Sequence, residues 1–158
     1  MMRTVRIAVA SAFGAGFAPF APGTWGSLVA SVFFVIGYYI GWVQTGWPLL
    51  WLTLALSVIA HQCIIRLPED WIHDDQRIVI DEVLGVMVTM LFIPLNGWTI
   101  FLSLVLFRIF DIWKPLGIRR FDHLHSEWSV IVDDLLAGVY ANLTLRGLIV
   151  LLPAYELW

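Results

Sequence analysis

The sequence predicts an all-α, polytopic membrane bundle of about four to five membrane helices, with a short N-terminal interfacial or re-entrant helix. Three observations carry that reading. The 158 residues are 60% hydrophobic and 13% charged, with a mean hydropathy of +0.85, whereas a soluble domain is about 45–50% apolar and about 25% charged. The apolar residues fall into five long runs separated by short polar turns. Nineteen of the 21 charged side chains lie in three stretches: two at Arg3 and Arg6, eight from Arg66 to Glu82, and nine from Arg108 to Asp134. If the runs cross a bilayer alternately, those stretches share one face.

Each element follows from its own signals. Arg3 and Arg6 precede the short apolar segment Ile7–Ala12, which is too short for a cleaved leader and reads as part of an interfacial or re-entrant helix from about Ile7 to Phe20. The first run, Leu28 to Val43, stops at Gln44-Thr45-Gly46. The second, Trp47 to Ile65, stops at Arg66 and Pro68. The third, Val83 to Leu95, ends at Asn96-Gly97. The fourth begins at Trp98 and continues helical to Lys114, before Pro115. The fifth runs from about Val130 to Leu152, before Pro153. A span needs about 20 residues, so the third and fourth runs reach that length only by carrying Glu82, Arg108 and Asp111 to membrane depth.

The turns 44–46 and 96–97 are uncharged, while the segments around 66–82 and 115–129 carry Arg66, Arg77, Arg119 and Arg120. The positive-inside rule then puts the N-terminus and both charged loops in the cytoplasm. Trp42, Trp47, Trp51, Trp98 and Trp158 fit an outer aromatic belt, and Trp25, Trp71, Trp113 and Trp128 an inner one. Gly37 and Gly41 are spaced for a helix-packing face. The length suits one domain over residues 1–158. Net charge −3 argues against nucleic acid as a partner, and the clustered acids point to a cation. Cys63 is the single cysteine, so neither a disulfide framework nor a thiolate metal site is available.

Four elements meet at the charged face. In Pro22-Gly-Thr-Trp-Gly-Ser27, Thr24 or Ser27 is a candidate helix N-cap, and the glycines let backbone N–H groups approach an anion such as phosphate. His73-Asp-Asp-Gln-Arg-Ile-Val-Ile-Asp-Glu82 supplies two carboxylate pairs, of which Asp81-Glu82 opens a membrane helix; paired acids at that depth are costly unless neutralised or bound to a cation. In Phe107-Arg-Ile-Phe-Asp-Ile-Trp-Lys-Pro115, Arg108, Asp111 and Lys114 follow along one helix side. The Arg fork suits phosphate, and Asp111 either ligates a metal or holds the arginine. Asp133-Asp134 repeats the acid pair. Neighbouring helix positions point about 100° apart, so one member of each pair is expected to ligate and the other to orient water or a base. An all-oxygen donor set beside an anionic substrate describes Mg²⁺ rather than zinc. His61 and His73 are candidates for assisting proton transfer.

Metal-held carboxylates with Arg and Lys at a lipid–water boundary suit reaction at a headgroup phosphate. No Cys-x5-Arg loop is present, nor an Asp-x-Asp-x-Thr/Val signature after a strand, nor the Asp-Gly-x-x-Ala-Arg pattern of CDP-alcohol phosphotransferases. The set Pro22-Gly-Thr-Trp-Gly-Ser27, His61-Gln62, His73-Asp74, Ile78-Val-Ile-Asp-Glu82 with Gly85, Phe107-Arg-Ile-Phe-Asp111 with Lys114-Pro115, Ile118-Arg119 and Asp133-Asp134 with Ala137-Gly138 resembles the phosphatidylglycerophosphatase A family, from roughly Ala8 to Leu152. The resemblance implies a multi-pass enzyme of the bacterial inner membrane that uses Mg²⁺ to remove the terminal phosphate of phosphatidylglycerophosphate, a phospholipid substrate taken from the bilayer, with its site facing the cytoplasm. It implies an acidic metal site of Asp81, Glu82, Asp133 and Asp134, catalytic contributions from Asp74 and Asp111, phosphate-facing Arg108 and Lys114, and Thr24 and Ser27 in the glycine-containing motif. Asp75-Gln76-Arg77 departs from the expected pattern, which leaves Asp75 and Arg77 without assigned roles; Arg146 is unexplained. Attack by a metal-activated water is favoured over a phospho-aspartate intermediate. The rivals are a small transporter with an ion pathway, a non-catalytic assembly subunit, and a phosphatase for another lipid such as phosphatidic acid.

Overall fold

A computed structural model describes residues 2–41, 45–68, 70–71, 75–114 and 127–151. The described residues form six α-helices and no strand: α1 (Met2–Ala10), α2 (Pro22–Ile40), α3 (Trp47–Ile64), α4 (Ile80–Thr89), α5 (Gly97–Trp113) and α6 (Glu127–Leu151), with a single 3₁₀ turn at Ala15–Phe17. Pro22–Ile40, Trp47–Ile64 and Ile131–Leu151 are long and apolar enough to cross a membrane. The expected total of four to five spans therefore turns on α4 and α5, which are shorter.

Helix ends follow local chemistry. Pro22 opens α2 six residues ahead of the apolar run, because a first-turn proline has no N–H to lose. Gly41 closes α2 at φ 65°, the left-handed cap that glycine favours. Gly41 is thus a helix stop rather than half of a packing face, although Gly37 is buried. Asn96 and Thr99 form a reciprocal capping box at the start of α5, with Asn96 Oδ1 accepting from Thr99 N at 2.9 Å and Thr99 Oγ1 accepting from Asn96 N at 3.0 Å.

The ten-residue α4 is the hub, packed against α6, α2 and α3. At 1.5 Å per residue it is roughly 15 Å long, half of an apolar layer about 30 Å thick. Glycines let its backbone meet α6 directly: a Cβ added to Gly138 would stand 2.5 Å from the Gly85 carbonyl oxygen, and one added to Gly85 would overlap the Phe107 ring. Small residues at a membrane helix crossing serve this close approach.

Because α4 stops inside the bundle, its last carbonyls need donors. The Asn142 amide on α6 donates to the carbonyls of Thr89 at 2.8 Å and Leu91 at 2.9 Å. Arg146 donates from Nε to Asn142 Oδ1 at 2.8 Å and from Nη2 to the Leu91 carbonyl at 2.8 Å. Arg146, which no sequence motif accounts for, is the outer half of this polar plug.

Around the other end of α4, Val79 N donates to the Ala10 carbonyl at 2.9 Å, tying α4 to the N-terminal segment. That segment turns through three consecutive positive φ values, Ala12 45°, Phe13 58° and Gly14 102°, a conformation non-glycine residues seldom adopt. In the preceding loop, Arg77 donates from Nε to Asp75 Oδ1 at 2.8 Å, and its backbone N–H reaches the same oxygen at 2.9 Å. The Arg77 guanidinium also lies 4.4 Å from the centre of the Trp71 ring, which meets Phe17 edge-on at 5.9 Å. Trp71 is buried, so it packs the loop instead of joining an inner belt. Trp25, Trp47, Trp51, Trp98 and Trp113 are exposed, whereas Trp42 and Trp158 lie outside the described residues.

Candidate active site

Two helices bring three acids together at the base of α4. Ligand-capable oxygens of Asp81, Glu82 and Asp134 lie within 4.8 Å of one another. Asp81 and Glu82 occupy the first turn of α4, where negative charge meets the positive end of the helix dipole. Asp134 stands on α6 one turn before Gly138, so the glycine crossing of α4 and α6 sets the spacing of the cluster.

Arg108 on α5 faces these acids. Its Nη1 lies 2.7 Å from Asp111 Oδ2 and 3.9 Å from Glu82 Oε1. Through that pair Asp111 holds the arginine beside the cluster. Lys114, at the left-handed end of α5, pairs with Asp133 Oδ2 at 3.3 Å. Of the second acid pair, Asp134 enters the three-carboxylate group and Asp133 turns toward Lys114.

The start of α2 forms the remaining wall. A Cβ on Gly23 would overlap Glu82 Oε1 and stand 3.1 Å from Arg108 Nη1, so a side chain there would displace the Glu82 carboxylate. Neither Thr24 nor Ser27 is the N-cap expected from sequence: the helix already begins at Pro22, after Ala21. Thr24 is half-buried in the first turn, and buried Ser27 donates from Oγ to the Gly23 carbonyl at 3.0 Å. That bond fixes the turn holding Gly23.

His61 is buried in the last turn of α3 and is not in the three-carboxylate group. Asp74 and His73 lie outside the described residues. Asp75 and Arg77 are used on each other. The Arg77 guanidinium holds the Asp75 carboxyl below the usual carboxylate range. The sequence assigns Gly23 a backbone role toward an anion, whereas the structure uses it to make room for Glu82 and Arg108; Asn142 carried no assigned role. An asparagine inside an apolar run does carry a signal, since a polar side chain at that depth needs a partner.

The donor set fits a hard divalent cation. All three groups are carboxylates, and Asp81 Oδ1 and Glu82 Oε2 are buried with no hydrogen-bond partner among the described residues. Buried acids crowded this closely are costly without a cation between them. Arg108 Nε is likewise buried with no acceptor among those residues, a donor available to an incoming anion.

Fold and site define an all-helical protein, three of whose described helices are long and apolar enough to cross a membrane, that sets carboxylates able to bind a metal ion beside an arginine. The family model for Phosphatidylglycerophosphatase A matches residues 8–149. The chain belongs to the phosphatidylglycerophosphatase A family and is a phosphoric monoester hydrolase of that kind. It is 35% identical over 133 residues to "Phosphatidylglycerophosphatase A" of Escherichia coli (strain K12), covering 83% of this chain and 76% of that protein. With the Haemophilus influenzae protein of the same name the identity is 36% over 135 residues, covering 84% and 82%. A Bacteroides thetaiotaomicron protein named "Putative phosphatidylinositol-3-phosphatase" is 39% identical over 142 residues, covering 85% and 87%. No solved structure matches the chain.

Proposed function

We propose that the protein hydrolyses the terminal phosphomonoester of phosphatidylglycerophosphate to phosphatidylglycerol and inorganic phosphate, at the cytoplasmic face of a bacterial inner membrane, as a single domain. The observation that carries this reading is the placement of Arg108 between Glu82 and Asp111, against the Asp81–Glu82–Asp134 cluster. An anion-binding fork directly beside a cation-binding set is what a phosphomonoester needs.

In this reading Asp81, Glu82 and Asp134 hold Mg²⁺, the small hard cation suited to carboxylates and phosphate oxygens. When bound, Mg²⁺ supplies Lewis acidity toward a phosphoryl oxygen and lowers the pKa of a water molecule. Arg108 binds and orients the phosphate, and its fork offsets charge growing on the equatorial oxygens. Asp111 aims that fork. Lys114, steadied by Asp133, faces the same phosphate, while Thr24 and Ser27 belong to the α2 turn that closes around it. Water's oxygen bonds to phosphorus as the ester P–O bond breaks, and the glycerol oxygen leaves with that electron pair and takes up a proton given up by the water. The site borders the apolar surface of the bundle, which suits a substrate drawn from the bilayer and gives nucleic acid no role.

A second substrate reading draws on the Bacteroides relative, whose printed name specifies a phosphoinositide phosphomonoester. Both candidates place a phosphomonoester at the end of a glycerophospholipid headgroup. The deciding experiment is phosphate release in detergent micelles from phosphatidylglycerophosphate, phosphatidylinositol 3-phosphate and phosphatidic acid, each with Mg²⁺ or EDTA. Mg²⁺-dependent release from the first alone, lost in Asp81→Asn, supports the proposal. Preference for either other lipid reassigns the substrate, and no release from any by a folded sample returns the weight to transport.

A further inference from the structure

Consecutive antiparallel helices usually pack side by side, but here α2 and α3 each lean on α4 more than on one another. The gap between them is an apolar groove of about 380 Å³ floored by α4, within the size range of small-ligand sites. Ala30 of α2 and Leu52 and Ile59 of α3 form its walls, and Ile80, Val83 and Met87 of α4 its floor. Those three floor residues follow helical spacing on one side of α4. Asp81 and Glu82, placed between Ile80 and Val83, turn from that side toward α6 and Arg108. The groove and the carboxylate cluster are therefore two faces of the same helical turn. From Ile80 to Met87 the floor extends roughly 10 Å along the helix axis, away from the acids.

At the end nearer the acids, where Val79 N meets the Ala10 carbonyl, stands Phe13, in the middle of the left-handed turn Ala12–Gly14 and 89% exposed. The turn is held by Phe13 N donating to the Ala8 carbonyl at 2.7 Å and Gly14 N to Ser11 Oγ at 3.1 Å. Backbone strain kept in place by surrounding bonds calls for a use, and here it sets a large aromatic ring at the groove's mouth.

We infer that this groove seats one acyl chain of the phospholipid whose headgroup phosphate enters the Asp81–Glu82–Asp134 site. The inference rests on the phospholipid-phosphatase reading of that site. Lipid is already apolar, so the groove contributes orientation through close packing more than transfer free energy. A chain lying along Ile80 and Val83 leaves its headgroup at the start of α4, where the terminal phosphate passes round the first turn to reach Asp81 and Glu82.

Two measurements on the full chain test this. The first compares Leu52→Trp, which obstructs the groove from α3, and Ala30→Phe, which obstructs it from α2, on dipalmitoyl and dihexanoyl phosphatidylglycerophosphate. The expected result is a roughly tenfold or larger loss of kcat/KM for the long-chain lipid, with the short-chain lipid turned over at the wild-type rate. Equal effects on both lipids, or none, overturn the inference. Wild-type turnover of neither lipid defeats the phosphatase reading instead. The second measurement does not depend on turnover: phosphatidylglycerol with a diazirine in one acyl chain is photo-crosslinked and the adducts are mapped. Adducts on the peptides holding Phe33 and Leu56, lost in both variants, support the groove. Adducts spread evenly over exposed residues such as Ile36, Ile109 and Ile112, and unchanged in the variants, overturn it.

Discussion

The Asn142 side chain donates a 2.8 Å hydrogen bond to the carbonyl of Thr89, and this bond ends α4 inside the bundle instead of at its surface. The same amide bonds Leu91, so one side chain on α6 settles both where α4 stops and how deep Asp81 and Glu82 sit. Asn142→Leu keeps the size but strips the donor from buried carbonyls, a loss of about 1–3 kcal/mol. Thermal unfolding in detergent should show the lower stability, and phosphate release should fall with it. An unchanged melting temperature would mean that the plug is dispensable.

Gly23 offers a steric test of the Glu82–Arg108 contact. Gly23→Ala places a methyl group onto Glu82 Oε1 and beside Arg108 Nη1, forcing apart residues that must act together. A loss of about a hundredfold in kcat/KM is expected from displacement on that scale, with helix content retained. Gly97→Ala, where an added Cβ meets nothing within 4 Å, should leave turnover at the wild-type level.

The two members of the Asp133–Asp134 pair should separate by experiment. Asp134→Asn, within the three-carboxylate group, should remove Mg²⁺ binding measured by titration calorimetry. Asp133→Asn, whose carboxylate faces Lys114, should keep that binding and lose turnover through a misplaced lysine. Loss of binding in both would bring Asp133 into the metal site.

Arg108→Lys tests the fork. A point charge does not reproduce planar, two-pronged binding, so phosphate release should drop by at least about tenfold while Mg²⁺ affinity holds. Full activity would reduce Arg108 to a counter-charge for Glu82 and Asp111.

Asp75 gives a pH test away from the bundle. Its folded pKa is depressed by Arg77, so the pair stabilises the fold above the unfolded carboxylate pKa and loses that contribution as pH falls through the folded value. Wild type and Asp75→Asn should differ in melting temperature at neutral pH and draw together as pH falls from about 4 toward the depressed folded value. Parallel curves across that range would show the loop pair to be energetically silent.

Helical class, the main apolar runs and most of the charged site were legible because lipid imposes simple rules: apolar length for spans, clustering for charge. Arg108, Asp111 and the acid pairs stood out because charge at that depth requires a reason. What one dimension concealed was pairing across helices. Nothing local tells that Asp133 and Asp134 diverge, that Thr24 and Ser27 sit inside a helix begun by Pro22, or that Trp71 turns inward to Phe17 and Arg77. Arg146 was opaque for the same reason, since its partners lie on Asn142 and 55 residues earlier at Leu91.

The short α4 also bears on how such a chain is made. A ten-residue helix with bare carbonyls at its end has no stable place in lipid by itself, and the side chains that complete it leave the ribosome some fifty residues later. Until α6 arrives, Asp81 and Glu82 lack both their depth and their third carboxylate. Biogenesis and activation thus become one event, and a nascent chain halted before Asn142 is inert however well its earlier helices have inserted.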